Sequence, residues 1–242
     1  MGDAAVPPPP PSAVTPVDPT ANPDTIEGLA RKAESERHLA LAGIPINDEL
    51  PRIESESESS RRDETEVAYR AMALMAVAIK GEGHASEDPE VVRGQMAGLI
   101  EGLGLHKFFT DDERAFIDHP NPEEHEWIQF SWRYEACWVM HWALGFVDEL
   151  EPPTSQCDPS KTVGIINNRG RDGYLTDARL RPQAEILDQA DLAFRYHWAI
   201  REAQIQGGRI PGVQRGVVME RHKALNWLIG VGESWDSVPT DT

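Results

Sequence analysis

The chain has 242 residues, with 23 Lys and Arg against 41 Asp and Glu and a formal charge of −18. Phosphate binding rests on Lys and Arg displacing counterions, so nucleic acid is excluded as a general partner, and an anionic membrane surface would repel the chain. Hydrophobic residues make up 40% of it and include seven Trp, enough to close a core and exclude wholesale disorder.

Residues 1–23 hold eight of the nineteen prolines, including the run from Pro7 to Pro11. Their only sizeable apolar side chains are Val6, Val14 and Val17. Such a segment cannot offset its ordering entropy by burial, so residues 1–23 are expected to be a disordered, polyproline-like tail. A plain solubilising tail explains this composition better than a ligand for SH3-type grooves. No basic residue precedes Arg31 and no apolar h-region is present, so no signal peptide is expected. Met1-Gly2 opens like a myristoylation signal, but Val6 stands where Ser or Thr is required.

Residues 24–242 are expected to form a single all-helical domain. Asp24 or Thr25 can cap a first helix to about Leu41, ended by Gly43 and Pro45. An extended connector through Ile53 leads into Glu54-Ser55-Glu56-Ser57-Glu58-Ser59-Ser60, read as a solvated loop. The second helix covers 63–80, with Val67, Ala71, Leu74 and Ala78 on one stripe. Its apolar run, residues 71–79, is far too short to span a bilayer. Ser86 or Asp88, with Pro89 in the first turn, opens a third helix to about Gly102. Thr110 to Glu113 is a capping box that starts a short helix through Ile117. A long helix is expected over 122–145, a loop-rich stretch with one short helix after Asp158 over 151–180, and two more long helices over 182–206 and 213–229. Strand signals are nearly absent, and the fold class is all-α.

Helical wheels, at 100° per residue, place ionisable side chains on faces meant for the core. Over 122–145, Ile128, Trp132, Val139, Trp142 and Ala143 share a face with Glu135 in its middle. The opposite side carries Phe130, Cys137, Met140 and Leu144, so this helix is expected to be central and buried. Over 182–206, His197 and Arg201 fall within the stripe of Ile186, Leu187, Ala190, Ala193, Phe194, Trp198 and Ile205. Over 213–229, Arg221 sits among Val217, Val218, Ala224, Leu225 and Leu228, with His222 at the edge. Lone buried charges are too costly to persist, so Glu135 should meet Arg201 or Arg221 in a planar, bidentate pair. The cluster is either an internal network that fixes helix register or a pocket in which the arginines and His197 hold a small anionic ligand.

Other chemistry finds little footing. Two cysteines cannot make a disulfide framework. Cys137 and His141 lie four apart on one helix face but lack a third ligand nearby, so a packed cysteine is preferred to a metal site. His125-Glu126 opens like a zinc-protease motif, but Gln129 stands where its second His belongs. Gly207, Gly208, Gly212 and Gly216 follow a helix rather than a strand and suit an interhelical turn, not a phosphate cradle. No nucleophile elbow occurs. Arg169-Gly170-Arg171-Asp172-Gly173 reads as a surface turn. Every Trp lies at or beyond Trp127 and is expected to fill the core. No cofactor and no metal are expected.

Several segments together resemble a mostly bacterial family, domain of unknown function 4272. They include Arg31-Lys32, Gly43-Ile44-Pro45, Leu50-Pro51, Arg70-Ala71, residues 132–136 and 142–145, His197-Trp198-Ala199, residues 220–227 and the ending Trp235-Asp236 with Thr240-Asp241-Thr242. The resemblance runs from about residue 26 to the terminus. It implies one helical domain with no established activity, so no catalytic residue is carried over. Its motif residues include Glu135, His197 and Arg221.

The expectation is a non-enzymatic, cytoplasmic interaction domain. Its acidic surface suits a basic protein partner, as an inhibitor or immunity-like protein would. The alternative is a small-ligand-binding protein or enzyme, with Glu135 or His197 handling protons and the arginines holding substrate charge.

Overall fold

A computed structural model describes residues 22–86 and 88–242; the expected tail over 1–23 lies outside them except for its last two residues. All its regular structure among these residues is helical. Asn22 caps α1 (Pro23–Leu41) by accepting the Asp24 N–H at 3.0 Å, and Pro23 fills a first-turn position that needs no donor. The Ser/Glu run is not a solvated loop throughout: Ser55 is wholly buried and donates to Asp24 at 2.7 Å, while Glu58 pairs with Arg52.

α2 (Glu64–Ser86) runs six residues past its expected end at Lys80. It is buried on nearly every side from Val67 to Ala78, not along one stripe. α3 (Pro89–Leu103), capped by Asp88, packs on it. Thr110 and Glu113 form the expected capping box on α4 (Asp111–Asp118). The far end of α4 is closed by Lys80, whose ammonium donates to the carbonyls of Phe116, Ile117 and His119 at 2.7–2.9 Å. A buried lysine thus satisfies helix-end acceptors that lack intrahelical donors.

The long helix expected over 122–145 is two helices, α5 (Glu124–Ser131) and α6 (Arg133–Ala143). They meet at Trp132, which keeps a right-handed helical backbone. The break lets α5 lie along α2 while α6 also reaches its later neighbours. No residue of α5 is buried, and Ile128 is exposed; nearly all of α6 is buried. Residues 151–180 hold two helices instead of one, α7 (Pro159–Asn167), capped by Asp158, and α8 (Gly170–Asp177), which takes in the supposed surface turn.

α9 (Gln183–Ile205) and α10 (Arg215–Leu228) pack against each other; α10 also touches α6, and α1 covers α9. The main core joins α2 and α6 to residues such as Ile166, Leu187 and Leu228. A smaller cluster of Leu39, Tyr196, Ile200 and Val218 joins α1, α9 and α10. Each fully buried Leu here contributes about 1.5–3 kcal/mol by leaving water.

Candidate functional site

Arg221 and His222 are neighbours on α10 and diverge by about 100°. Arg221 turns to α6 and His222 to α9, which divides the expected cluster in two. Glu135 and Arg221 are 1% and 8% exposed and meet at 3.4 Å through Arg221 Nε and Glu135 Oε2. The contact is not the planar, bidentate pair expected. Arg221 Nη1 donates instead to the Glu151 carbonyl at 2.5 Å, and Glu135 Oε1 accepts the backbone N–H of Cys157. The loop over 148–158 thus takes the half of each side chain that the ion pair leaves.

His197 and His222 are also buried, and their Nδ1 atoms lie 2.8 Å apart. The Asn226 amide fixes which one carries the proton. Its Nδ2 donates to the Pro239 carbonyl at 2.9 Å and faces His222 Nε2 at 3.1 Å. His222 Nε2 is therefore the acceptor, His222 Nδ1–H the donor, and His197 Nδ1 the next acceptor. Burial holds both imidazoles neutral, pushing His197 to about 4, with Arg201 acting in the same sense, and His222 to about 3, with His197 acting in the same sense. Among the described residues, no hydrogen bond or ion pair links these histidines to Glu135 or Arg221.

Arg201 does not join either pair. It is exposed, in the last turn but one of α9, and donates to the Thr242 carbonyl at 3.1 Å. The helix outruns its packing partners there, and Ile205 of the same stripe is 73% exposed.

Cys137 and His141 pack as a local pair, Sγ to Nε2 3.4 Å, with Cys137 also 3.3 Å from the Ala71 carbonyl. His141 Nε2 lies 3.1 Å from the Thr162 carbonyl, and its Nδ1 lies 2.8 Å from the Tyr174 hydroxyl. That arrangement makes Nε2 the donor and Nδ1 the acceptor of one neutral tautomer; burial pushes His141 down to about 4. Cys157 is no nucleophile in waiting. Burial, then the Glu135 charge, pushes its thiol up to about 12. Among the described residues no group of three or more His, Cys, Asp or Glu converges as metal ligands would.

The wheels missed the best-made ion pair. Asp191 and Arg195 on α9, both almost wholly buried, are joined by two contacts of 2.8 and 2.9 Å, and Arg195 also reaches the Pro51 carbonyl. Their spacing from Leu187 and Phe194 was the available signal. Arg70–Glu113 at 2.5 Å and Arg133–Glu220 at 2.5 Å are two more buried pairs that the wheels do not show.

Glu135 and Arg221 stand between two cavities. Arg221 borders a groove of about 410 Å³ with Leu150, Leu192, Tyr196 and Leu225 in its lining. Glu135 lines a separate cavity of about 240 Å³ beside Tyr134 and Cys157. Neither of these two cavities is lined by Glu135, His197, Arg201 and Arg221 together.

No helix among the described residues is long and apolar enough to cross a membrane. No curated protein and no solved structure matches the chain. The family described as domain of unknown function (DUF4272) matches residues 31–238, which takes in α2–α10 and most of α1. The chain belongs to that family.

Proposed function

We propose that the chain is a non-enzymatic, cytoplasmic interaction domain whose groove beside α9 and α10 receives a basic segment of a protein partner. One observation carries the reading. Asp148, Glu149 and Glu151 line the groove and are exposed, and their carboxylates have no bonded partner among the described residues. The cations at the same groove are occupied. Arg181 donates to the carbonyls of Trp142, Val147 and Asp148 at 2.8–2.9 Å and pairs with Glu185, and Arg221 is held by Glu135 and the Glu151 carbonyl.

The groove therefore offers an apolar lining under uncompensated negative charge, in a chain of net charge −18. Such a surface attracts a segment that alternates Leu-like and Lys- or Arg-like side chains, and steers its approach. An inhibitor or immunity-like protein acting on a basic effector would use it in this way. The rival reading, a ligand or reaction site of Glu135, His197, Arg201 and Arg221, has less support, because those residues are divided between two satisfied pairs and a surface position.

Titration with an amphipathic Leu/Lys peptide tests the proposal. Binding should weaken as salt rises, since exposed charges are screened over about 8–10 Å at physiological ionic strength. The triple change Asp148→Lys, Glu149→Lys, Glu151→Lys should abolish it while the circular dichroism spectrum stays unchanged. Equal affinity for the wild type and the triple variant would reject the reading.

A further inference from the structure

The cavity that Glu135 lines has a chemistry of its own. Its walls include Trp127, Trp132 and Tyr134, with the carboxylates of Glu82 and Glu135, and no Lys, Arg or His. Elsewhere the protein covers aromatic faces with its own cations: Arg181 over Trp142 at 5.1 Å, Arg62 over Trp227 at 4.7 Å, and Arg70 and Lys223 over Trp235. Among the described residues no such cation, and no stacked ring, covers Trp127, Trp132 or Tyr134. Even Arg133, next in sequence to Trp132, turns away to Phe130 and Glu220.

The carboxylates differ. Glu135 is neutralised in part by Arg221, but Glu82 is exposed and, among the described residues, is bonded to the Tyr134 hydroxyl alone, which donates to it at 2.7 Å. A carboxylate has room for more than one such contact, and its charge is otherwise unbalanced. The walls are braced. A Cβ on Gly216 of α10 would stand 2.5 Å from the Trp132 ring, and one on Gly81 of α2 would stand 2.6 Å from the Trp127 carbonyl. The backbone comes so close at both points that only glycine fits.

We propose that this cavity binds an alkylated ammonium group, held by the faces of Trp127, Trp132 and Tyr134 and by the charge of Glu82. Aromatic faces attract such cations through their quadrupoles, most strongly where water is excluded. A cation with a methylated head sheds its hydration more readily than a primary amine, and a cavity of about 240 Å³ has room for it with a short tail. The site is separate from the acidic groove and stands whether or not the groove binds a partner.

Calorimetry of the full chain with choline, against its neutral isostere 3,3-dimethylbutan-1-ol, tests the assignment. Choline should bind at least about tenfold more tightly, the ratio expected of a cation–π and carboxylate contribution of about 1.4 kcal/mol. Glu82→Gln, a change at an exposed position, should remove most of that preference. Trp132→Leu, which keeps an apolar wall but loses the π face, should weaken choline about tenfold and leave the alcohol unchanged. Should Trp132→Leu fail to fold, Glu82→Gln decides alone. A peptide bearing trimethyllysine separates the sources: tighter binding than choline identifies a partner's side chain as the ligand, and weaker binding identifies a free small molecule. Equal binding of choline and the alcohol, or saturable binding of neither choline nor the peptide, overturns the proposal.

Discussion

Three buried histidines make the fold acid-sensitive at a pH where carboxylates are still silent. His141, His197 and His222 are all neutral in the native protein, with burial as the leading cause, at about 4, about 4 and about 3. In the unfolded chain each returns to the ordinary 6.5. Below 6.5 the unfolded state therefore binds protons that the native state does not, so stability is complete above pH 6.5 and falls as the pH is lowered. For His141 alone, a displacement of about 2.5 pH units corresponds to about 3 kcal/mol, lost progressively down to about pH 4. Near pH 5.5 all three act together, and three protons give a slope of about 4 kcal/mol per pH unit. The typical margin of about 5–15 kcal/mol cannot survive that for long.

The structure explains why the histidines resist protonation. A proton on His141 Nδ1 would make the buried Tyr174 hydroxyl turn its hydrogen away and lose its acceptor, and a proton on His222 Nε2 would face the Asn226 amide. Urea denaturation at several pH values between about 7.5 and 5 measures the slope, and the range excludes most carboxylate titration. His141→Gln should keep the hydrogen-bonding shape and remove one proton, lowering the slope by about 1.4 kcal/mol per pH unit. Stability that stays flat from pH 7 to pH 5, or a slope unaltered by His141→Gln, would refute the reasoning.

Asp191→Ala leaves the buried Arg195 guanidinium with only Glu36, at 3.4 Å, as counter-charge and should cost about 1–3 kcal/mol, read as a drop in the urea midpoint. Glu135→Gln should also destabilise, by about 1–3 kcal/mol, because Arg221 keeps its bond to the Glu151 carbonyl but loses its counter-charge. Gly216→Ala should push the Trp132 ring from its seat, with about 1–3 kcal/mol of overpacking strain and a shift in tryptophan fluorescence. Lys80→Met should uncap three carbonyls at the end of α4, seen as faster amide exchange in residues 116–119 than in α6.

The helix ends were legible because their signals are local. Asp88 with Pro89, Thr110 with Glu113, and Asp158 satisfy backbone donors within four residues of themselves, so no knowledge of the tertiary structure is needed. The inward direction of Glu135, His197 and Arg221 was legible for the same reason, since the wheel fixes a residue's face. Their partners were not, because a wheel carries no register between helices. Arg201 shares a face with buried residues but sits where α9 has outrun its neighbours. The burial of α2 was hidden by alanine. Ala73 and Ala76 lie off the expected stripe and let other helices approach closely, yet alanine is equally at home in water and does not announce a second buried face. Asp191 and Arg195 carry a partial signal in their spacing from Leu187, but α1 and the Pro51 carbonyl, which close over them, cannot be read from a wheel.

These losses and gains share a cause. A core lined by alanine and leucine is tolerant of a helix sliding along its neighbour, because one apolar contact replaces another at little cost. Ionic contacts are not tolerant, since a displaced partner leaves a buried charge unpaired. Arg31 with Asp188, Arg70 with Glu113, Arg133 with Glu220 and Arg221 with Glu135 each join elements distant in sequence, and so each selects one register. Arg181 and Lys80 do the same through main-chain carbonyls. A fold stitched in this way consumes cations, and the chain has only 23 against 41 acids. The carboxylates left over face solvent, and at the groove beside α9 and α10 Asp148, Glu149 and Glu151 do so with no bonded cation among the described residues. The acidity available to a partner is thus the complement of the arginine used to fix the interior.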